Sequence, residues 1–163
     1  MEPLLLRDAT PADFARIVQL NADEVAFTSP MDLARLRALH AMAALHRVVE
    51  RDGTVVGFLL AFADGAAYDG ANYRWFAQRY PRFLYVDRIV VDRAAARGGV
   101  GRRLYDDLFA HARRLGIERV TCEYDINPPN PASRAFHERF GFLEVGTRIT
   151  DGGKRVSLQA ATA

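Results

Sequence analysis

The sequence predicts an α/β domain, an α+β mixed sheet that is twisted and carries helices on both faces. Three observations predict it. Asp-Gly at 52–53 and Asp-Gly-Gly at 151–153 each separate runs of strand-forming residues, which is a hairpin signal. Leu84 to Asp125 reads strand, glycine loop, helix, strand, which implies a right-handed crossover and a parallel pair. Helical periodicity recurs between the strand signals.

The elements follow in chain order. Leu4 to Arg7 is a short apolar strand. Thr10-Pro11-Ala12-Asp13 then opens a helix, with Thr10 as cap, Pro11 at the first helical position and Asp13 as the acid three residues on. Phe14, Ile17, Val18 and Val25 give that helix its buried face. A similar start at Ser29-Pro30-Met31-Asp32 precedes a second helix, faced by Leu33, Leu36, Leu39 and Ala43, with His40 near that face. His46 to Glu50 and Thr54 to Phe62 form the first hairpin, where Gly57 marks a bulge or a close backbone approach.

Asp64 to Arg82 is a long, aromatic connection in which Tyr73, Phe76 and Tyr80 sit at helical intervals, either over a satellite cluster or as a lid on an acceptor site. Leu84 to Val91 is the next strand, its apolar end Ile89-Val90-Val91 read as buried on both faces. After the glycine loop, Leu104, Leu108, Ala112 and Leu115 line a helix that Gly116 closes. Val120 to Asp125 is a strand, with Cys122 read as core. Asn127 to Pro131 breaks it, and a helix runs from Asn130 to Phe140. Phe142 to Ile149 and Lys154 to Gln159 close the fold as a hairpin, with fraying expected from Ala160.

Composition narrows the function. The chain's 163 residues and 18.2 kDa fit a single domain, 1–163, large enough for a core without staples. Apolar runs such as Val55 to Ala63 are too short to cross a bilayer, and the first residues lack the order of a signal peptide, so a soluble cytoplasmic protein with no membrane partner is expected. Cys122 is the sole cysteine and His40, His46, His111 and His137 lack ligand spacing, so no metal is expected. Arginine dominates over lysine, but the net charge is +2 and acids interleave with the bases, so no nucleic acid is expected either.

The chemistry concentrates where a strand ends and a helix begins. Gly98-Gly99-Val100-Gly101, flanked by Arg97, Arg102 and Arg103, places free backbone N–H groups and a helix N-terminus together, a cradle for phosphate or pyrophosphate. It lacks the third glycine of the dinucleotide fingerprint and the Lys-Ser/Thr of a P-loop. Further on stands NPASRAFHERFGF, after another strand.

These two segments, in this order, resemble the GNAT superfamily of N-acetyltransferases, and FHERFGF is similar to small-molecule, phosphinothricin-type members. The resemblance covers Leu84 to Phe142 well, and the first strand and two helices agree in order. It implies the GNAT-like acyl-CoA N-acyltransferase fold and acetyl-CoA (coenzyme A) as cofactor. The Q/R-x-x-G-x-G/A loop that holds the pyrophosphate corresponds to residues ending Gly99-Val100-Gly101, with Ala96 in place of the leading Q/R and Gly98, Arg97 and Arg102 beside it. Ile89, Val90 and Val91 match the strand whose backbone pairs with pantetheine, and Asn130, Ser133 and His137 lie on the matching helix.

His137 stands where many members carry a tyrosine that protonates the departing thiolate. An imidazolium of ordinary pKa near ~6.5 could donate to a thiolate whose thiol has pKa near ~8.5. The amine must also lose a proton, and Glu123 or Asp87 could relay it; Glu123 and Asp125 share one strand face and Tyr124 the other. Tyr73, Trp75, Tyr80 and Tyr124 are the expected acceptor-binding residues. The implied function is acetyl transfer to a primary amine of a small molecule or peptide by direct attack in a ternary complex. The alternative is an inactive acyl-CoA-binding or sensing module of the same fold, and the resemblance makes a homodimer plausible.

Overall fold

The structure, a computed structural model, describes residues 3–24, 28–127 and 129–163. Within them are seven strands, β1 (Leu5–Asp8), β2 (Leu45–Arg51), β3 (Thr54–Ala63), β4 (Leu84–Val91), β5 (Arg119–Asn127), β6 (Leu143–Ile149) and β7 (Arg155–Thr162). Five α-helices accompany them: α1 (Phe14–Asp23), α2 (Leu33–Met42), α3 (Ala71–Ala77), α4 (Val100–Arg114) and α5 (Pro131–Arg139). The strands form one mixed sheet in the order β1-β2-β3-β4-β5-β7-β6.

Local chemistry explains most boundaries. Asp52 and Gly53 both take positive φ (53° and 75°), the geometry that matches a two-residue turn to the right-handed twist of β2 and β3. Asp13 accepts from the Thr10 backbone N–H at 2.8 Å, although Pro11–Asp13 is a 3₁₀ turn and the α-helix begins at Phe14. The second helix starts later than Ser29-Pro30 implies: Asp32 is its cap, accepting from the Arg35 N–H at 2.7 Å. Val25, expected on the face of α1, lies outside the described residues.

The core has two layers, one on each side of the sheet. Phe14, Ile17 and Leu20 of α1, Leu36 and Leu39 of α2, and Tyr73 and Phe76 of α3 pack one face. Leu104, Tyr105, Leu108 and Ala112 of α4 pack the other, with Phe142 and partly buried Phe136 and Phe140. Gly57 packs tightly under the start of α4; a Cβ there would meet Val100 Cγ1 at 2.6 Å and the Val90 carbonyl at 3.2 Å. The neighbouring register leaves Val56 as an extra residue on β3, so bulge and close approach coincide.

Four expectations are corrected. Leu115, expected on the buried face of α4, is 48% exposed because the helix has ended, and Tyr105 and Phe109 fill that layer instead. Leu33 is likewise 39% exposed at the first turn of α2. The chain from Ala160 does not fray: Ala160, Ala161 and Thr162 pair with Thr121, Val120 and Arg119, because β7 lies between β5 and β6 rather than at an edge. Ile89 and Val91, expected to be buried, are half-buried because β5 leaves their side.

That departure organises the molecule. β4 and β5 run parallel but pair only through Leu84–Val120 and Tyr85–Thr121. Beyond Tyr85 the strands splay, and the β4 edge facing β5 has no ladder partner. A bulge accompanies the splay: Leu60 pairs with Arg88 and Ala61 with Val86, leaving Asp87 extra. Such a residue bends its strand and upsets the alternation of side chains. Asp87 and Arg88 therefore sit side by side and form an ion pair, Nε to Oδ2 at 2.8 Å.

Candidate active site

The splay opens a cleft of about 690 Å³ at the carboxyl ends of β4 and β5. This is where parallel strands diverge and where open α/β sheets bind their ligands. Val86 to Val91 line it from β4, Cys122 to Asp125 from β5, Ser133 and His137 from α5 and Asn130 from its cap, Asn72 from α3, and Arg148, Thr150 and Lys154 from the last hairpin.

Glu123 lines it from β5. The Tyr85 hydroxyl lies 2.7 and 2.9 Å from its two oxygens and donates its one hydrogen to either. Burial is the main cause that lifts the Glu123 carboxyl from 4.5 to about 7, opposed by hydrogen bonds from Tyr85 and Asn72 and reinforced by nearby Asp87. Asn72 is itself held, since Arg148 donates to its Oδ1 at 2.6 Å. A chain of polar groups thus runs from Arg148 through Asn72 and Glu123 to Tyr85.

Asp87 is placed differently. Its Oδ1 accepts from the Tyr68 hydroxyl at 2.6 Å and its Oδ2 from Arg88, and its side chain is 5% exposed. Arg88 in turn donates to Asn21 Oδ1 and to the Ser29 carbonyl, both at 3.0 Å. Both Asp87 oxygens are thus engaged, one tying the bulge to Tyr68 in the connection before α3 and the other, through Arg88, to α1 and the segment that follows it.

His137 lies across the sheet from Glu123 and is 4% exposed. Its Nδ1 is 2.7 Å from the Ser133 carbonyl, which can only accept, so Nδ1 carries the proton. Nε2 therefore accepts from the Tyr105 hydroxyl at 2.6 Å. Burial lowers the imidazole pKa, with the Ser133 bond as a smaller opposing cause. The imidazolium expected from the sequence is thus the disfavoured form. Tyr124 faces His137, ring centroids 5.7 Å apart, and also lines the cleft.

The glycine loop stands at the end of β4. Asp92 fixes it, accepting from the Ala94 N–H at 3.0 Å and from Arg16 at 2.8 Å. Arg97 and Gly99 both take left-handed conformations, φ 67° and 81°. For arginine this costs about 1–2 kcal/mol. Gly99 caps α4 without a side chain, so the first-turn amides at Val100, Gly101 and Arg102 stay free for an anion. Gly101 faces α5; a Cβ there would touch the Phe136 ring at 3.3 Å. Gly98 and Arg97 are exposed, and Arg102 reaches Asp106 at 3.7 Å. The free β4 edge and this amide-lined turn fit an elongated ligand with a pyrophosphate.

The structure does not bring Tyr73, Trp75 and Tyr80 to the cleft. The Tyr73 hydroxyl donates to the Ala63 carbonyl at 2.6 Å inside the core. Trp75 packs on Gly146 of β6 and under Arg79, and Tyr80 lies beneath Arg119 at 4.0 Å. The connection serves the site instead through Tyr68 and Asn72, which sequence periodicity passed over. Tyr85, Tyr105 and Arg148 were missed as well. Among them only Tyr85 carried a signal, a polar-tipped residue in the strand before the glycine loop.

A model of the acetyltransferase (GNAT) family matches residues 12–142. Glucosamine 6-phosphate N-acetyltransferase 1 of Oryza sativa subsp. japonica is 28% identical over 149 residues, covering 91% of this chain and 84% of that protein. Among solved structures, Ard1 from Thermoplasma volcanium superposes with a TM-score of 0.81 at 17% identity, covering 98% of this chain and 97% of that one. The yncA protein from Salmonella typhimurium, solved with its cofactor acetyl-CoA, superposes with a TM-score of 0.73 at 22% identity, covering 98% of this chain and 94% of that one. The family match spans most of the chain and the fold is the family's, so this chain belongs to the GNAT family of acetyltransferases, enzymes that use acetyl-CoA.

Proposed function

We propose that this enzyme transfers an acetyl group from acetyl-CoA to the primary amine of a small molecule, by direct attack with both substrates bound. The observation that carries this reading is Glu123, a carboxyl held near pH 7 at the point where β4 loses its partner. A base works best when its pKa lies near the working pH. The curated relative, named for a small amino sugar phosphate, supports a small amine as acceptor.

When bound, acetyl-CoA supplies a thioester carbonyl open to attack and a thiolate leaving group. The β4 edge from Ile89 to Val91 would hold its pantetheine arm, with Asn130 and Ser133 alongside. The amides of Gly99, Val100, Gly101 and Arg102 would hold its pyrophosphate, with Arg97 and Arg102 adding charge. Glu123 accepts the amine proton at a carboxylate oxygen, and Tyr85 and Asn72 keep that oxygen in place. Backbone N–H of β4 polarises the carbonyl. His137 and Tyr105 form the wall on the thiolate side; because burial keeps the imidazole neutral, we assign the return of a proton there to the hydrogen-bonded pair. Asp87 acts by fastening the bulge.

The test is Glu123→Gln assayed for thiol release over a panel of amines. Turnover is expected to collapse with CoA affinity retained. Unchanged turnover would remove Glu123 from the reaction, and CoA binding without turnover of any amine by the unaltered protein would favour a sensing module.

A further inference from the structure

Among the described residues, Arg148 is the cation of the cleft that no carboxylate pairs with. Arg88 is paired with Asp87 at 2.8 Å, Lys154 with Asp125 at 3.7 Å, and Glu24 with Arg93 at 2.9 Å. Among the described residues no carboxylate lies within ion-pair distance of Arg148. Its partner is the neutral side-chain oxygen of Asn72, which engages one of the guanidinium's five N–H groups. The residue is half-buried on β6 and lines the same cleft as Glu123. A partly desolvated cation without a counter-ion is unfavourable, and an anion bringing two parallel acceptors would offset that cost.

The second observation is position. Asn72 bonds Arg148 through its oxygen and Glu123 through its amide nitrogen. One side-chain amide therefore separates the guanidinium from the carboxylate that receives the amine's proton. A small molecule can span both, its ammonium toward Glu123 and an acidic group toward Arg148.

We propose that Arg148 selects the acceptor: the amine that this enzyme acetylates carries an anionic group, a carboxylate or a phosphate, which the Arg148 guanidinium binds. This rests on the function proposed above for the same cleft. It also gives Asn72 a purpose, since the amide fixes the spacing between the two ends of the acceptor.

The experiment compares matched amines with acetyl-CoA: β-alanine against β-alanine amide for the carboxylate, and phosphoethanolamine against ethanolamine for the phosphate. The unaltered enzyme is expected to show kcat/KM at least tenfold higher for the anionic member of one pair, and the pair identifies the group. In Arg148→Met that ratio should fall at least tenfold, through KM of the anionic amine, and Arg148→Lys, which keeps the charge but not the fork, should restore part of it. A ratio near one in the unaltered enzyme, or equal losses on both members in Arg148→Met, overturns the proposal while leaving acetyl transfer intact. Calorimetry on the CoA-bound protein separates the two readings. Binding of the anionic amines that weakens at least tenfold in Arg148→Met supports the anion site even without turnover, in which case the proposed reaction is what fails. Undetectable binding together with no turnover overturns both.

Discussion

Two buried tyrosines line the cleft from opposite core layers, and each donates its hydroxyl to a titratable partner, Tyr85 to Glu123 and Tyr105 to His137. Burial is the leading cause of the shift in both partners, yet the consequences are opposite. Removing water disfavours charge, so it raises a carboxyl toward pH 7 and lowers an imidazole away from it. On the reaction proposed above, the Glu123 side is the proton acceptor that changes state during turnover. The His137 side becomes a neutral, hydrogen-bonded wall. One physical effect, applied to an acid and to a base, thus makes the two sides of the cleft do different work.

Glu123→Gln should separate them most. With a base of this kind, kcat/KM is expected to fall about 10²- to 10⁴-fold. Stability should move the other way. A carboxyl raised from 4.5 to about 7 on folding favours the folded state fully below pH 4.5, and that contribution is lost as pH rises through about 7. The glutamine variant should therefore gain on the unaltered protein across that window, by up to about 3 kcal/mol at pH 8. Urea unfolding at pH 4 and pH 8 checks this, and a gain at pH 4 instead would contradict the assignment.

The next effect is on the histidine side. His137→Phe should reduce kcat about ten- to hundredfold while leaving the CoA dissociation constant nearly unchanged. Because burial lowers the His137 pKa, its loss should not remove any fall in rate between pH 7 and 9. If it does, an imidazolium is the donor after all, and stopped-flow rates over that range decide.

The paired tyrosine variants sharpen the contrast. The Tyr85 hydroxyl lowers the Glu123 pKa, so Tyr85→Phe should move the rising limb of the kcat/KM profile to higher pH by up to about one unit. Tyr105→Phe strands a buried imidazole nitrogen, which costs about 1–3 kcal/mol in thermal or chemical unfolding. It should leave the rising limb where it is. A shift in that limb from Tyr105→Phe would mean that the two pairs are coupled. The smallest effect belongs to Leu115→Ala, within about 0.5 kcal/mol, because that leucine is exposed.

Much of this was legible beforehand where the determinants are local. Leu84–Val91 is a strand with the bounds that its residues implied, and Asn130 caps α5 as its place before Pro131 indicated. Glu123 was a candidate base from its strand position, and the face it shares away from Tyr124 is the face observed. The aromatic connection misled for a reason: Tyr73 and Phe76 recur at helical spacing because they fill a core, and a core stripe and a pocket wall look alike in one dimension. Arg148 and Asn72 gave no signal, being an ordinary arginine and an ordinary asparagine until the fold joins them across 76 residues.

The chain by itself determined its elements, the glycine turn at the head of α4 and the family to which those segments point, since turns, caps and periodicity depend on neighbours in sequence. Tertiary structure alone decided the charges. The bulge at Asp87 sets two successive side chains on one face, the splay exposes the β4 edge, and burial sets the protonation of Glu123 and His137. Desolvation depends on what packs around a group in space, and that packing comes from every part of the fold.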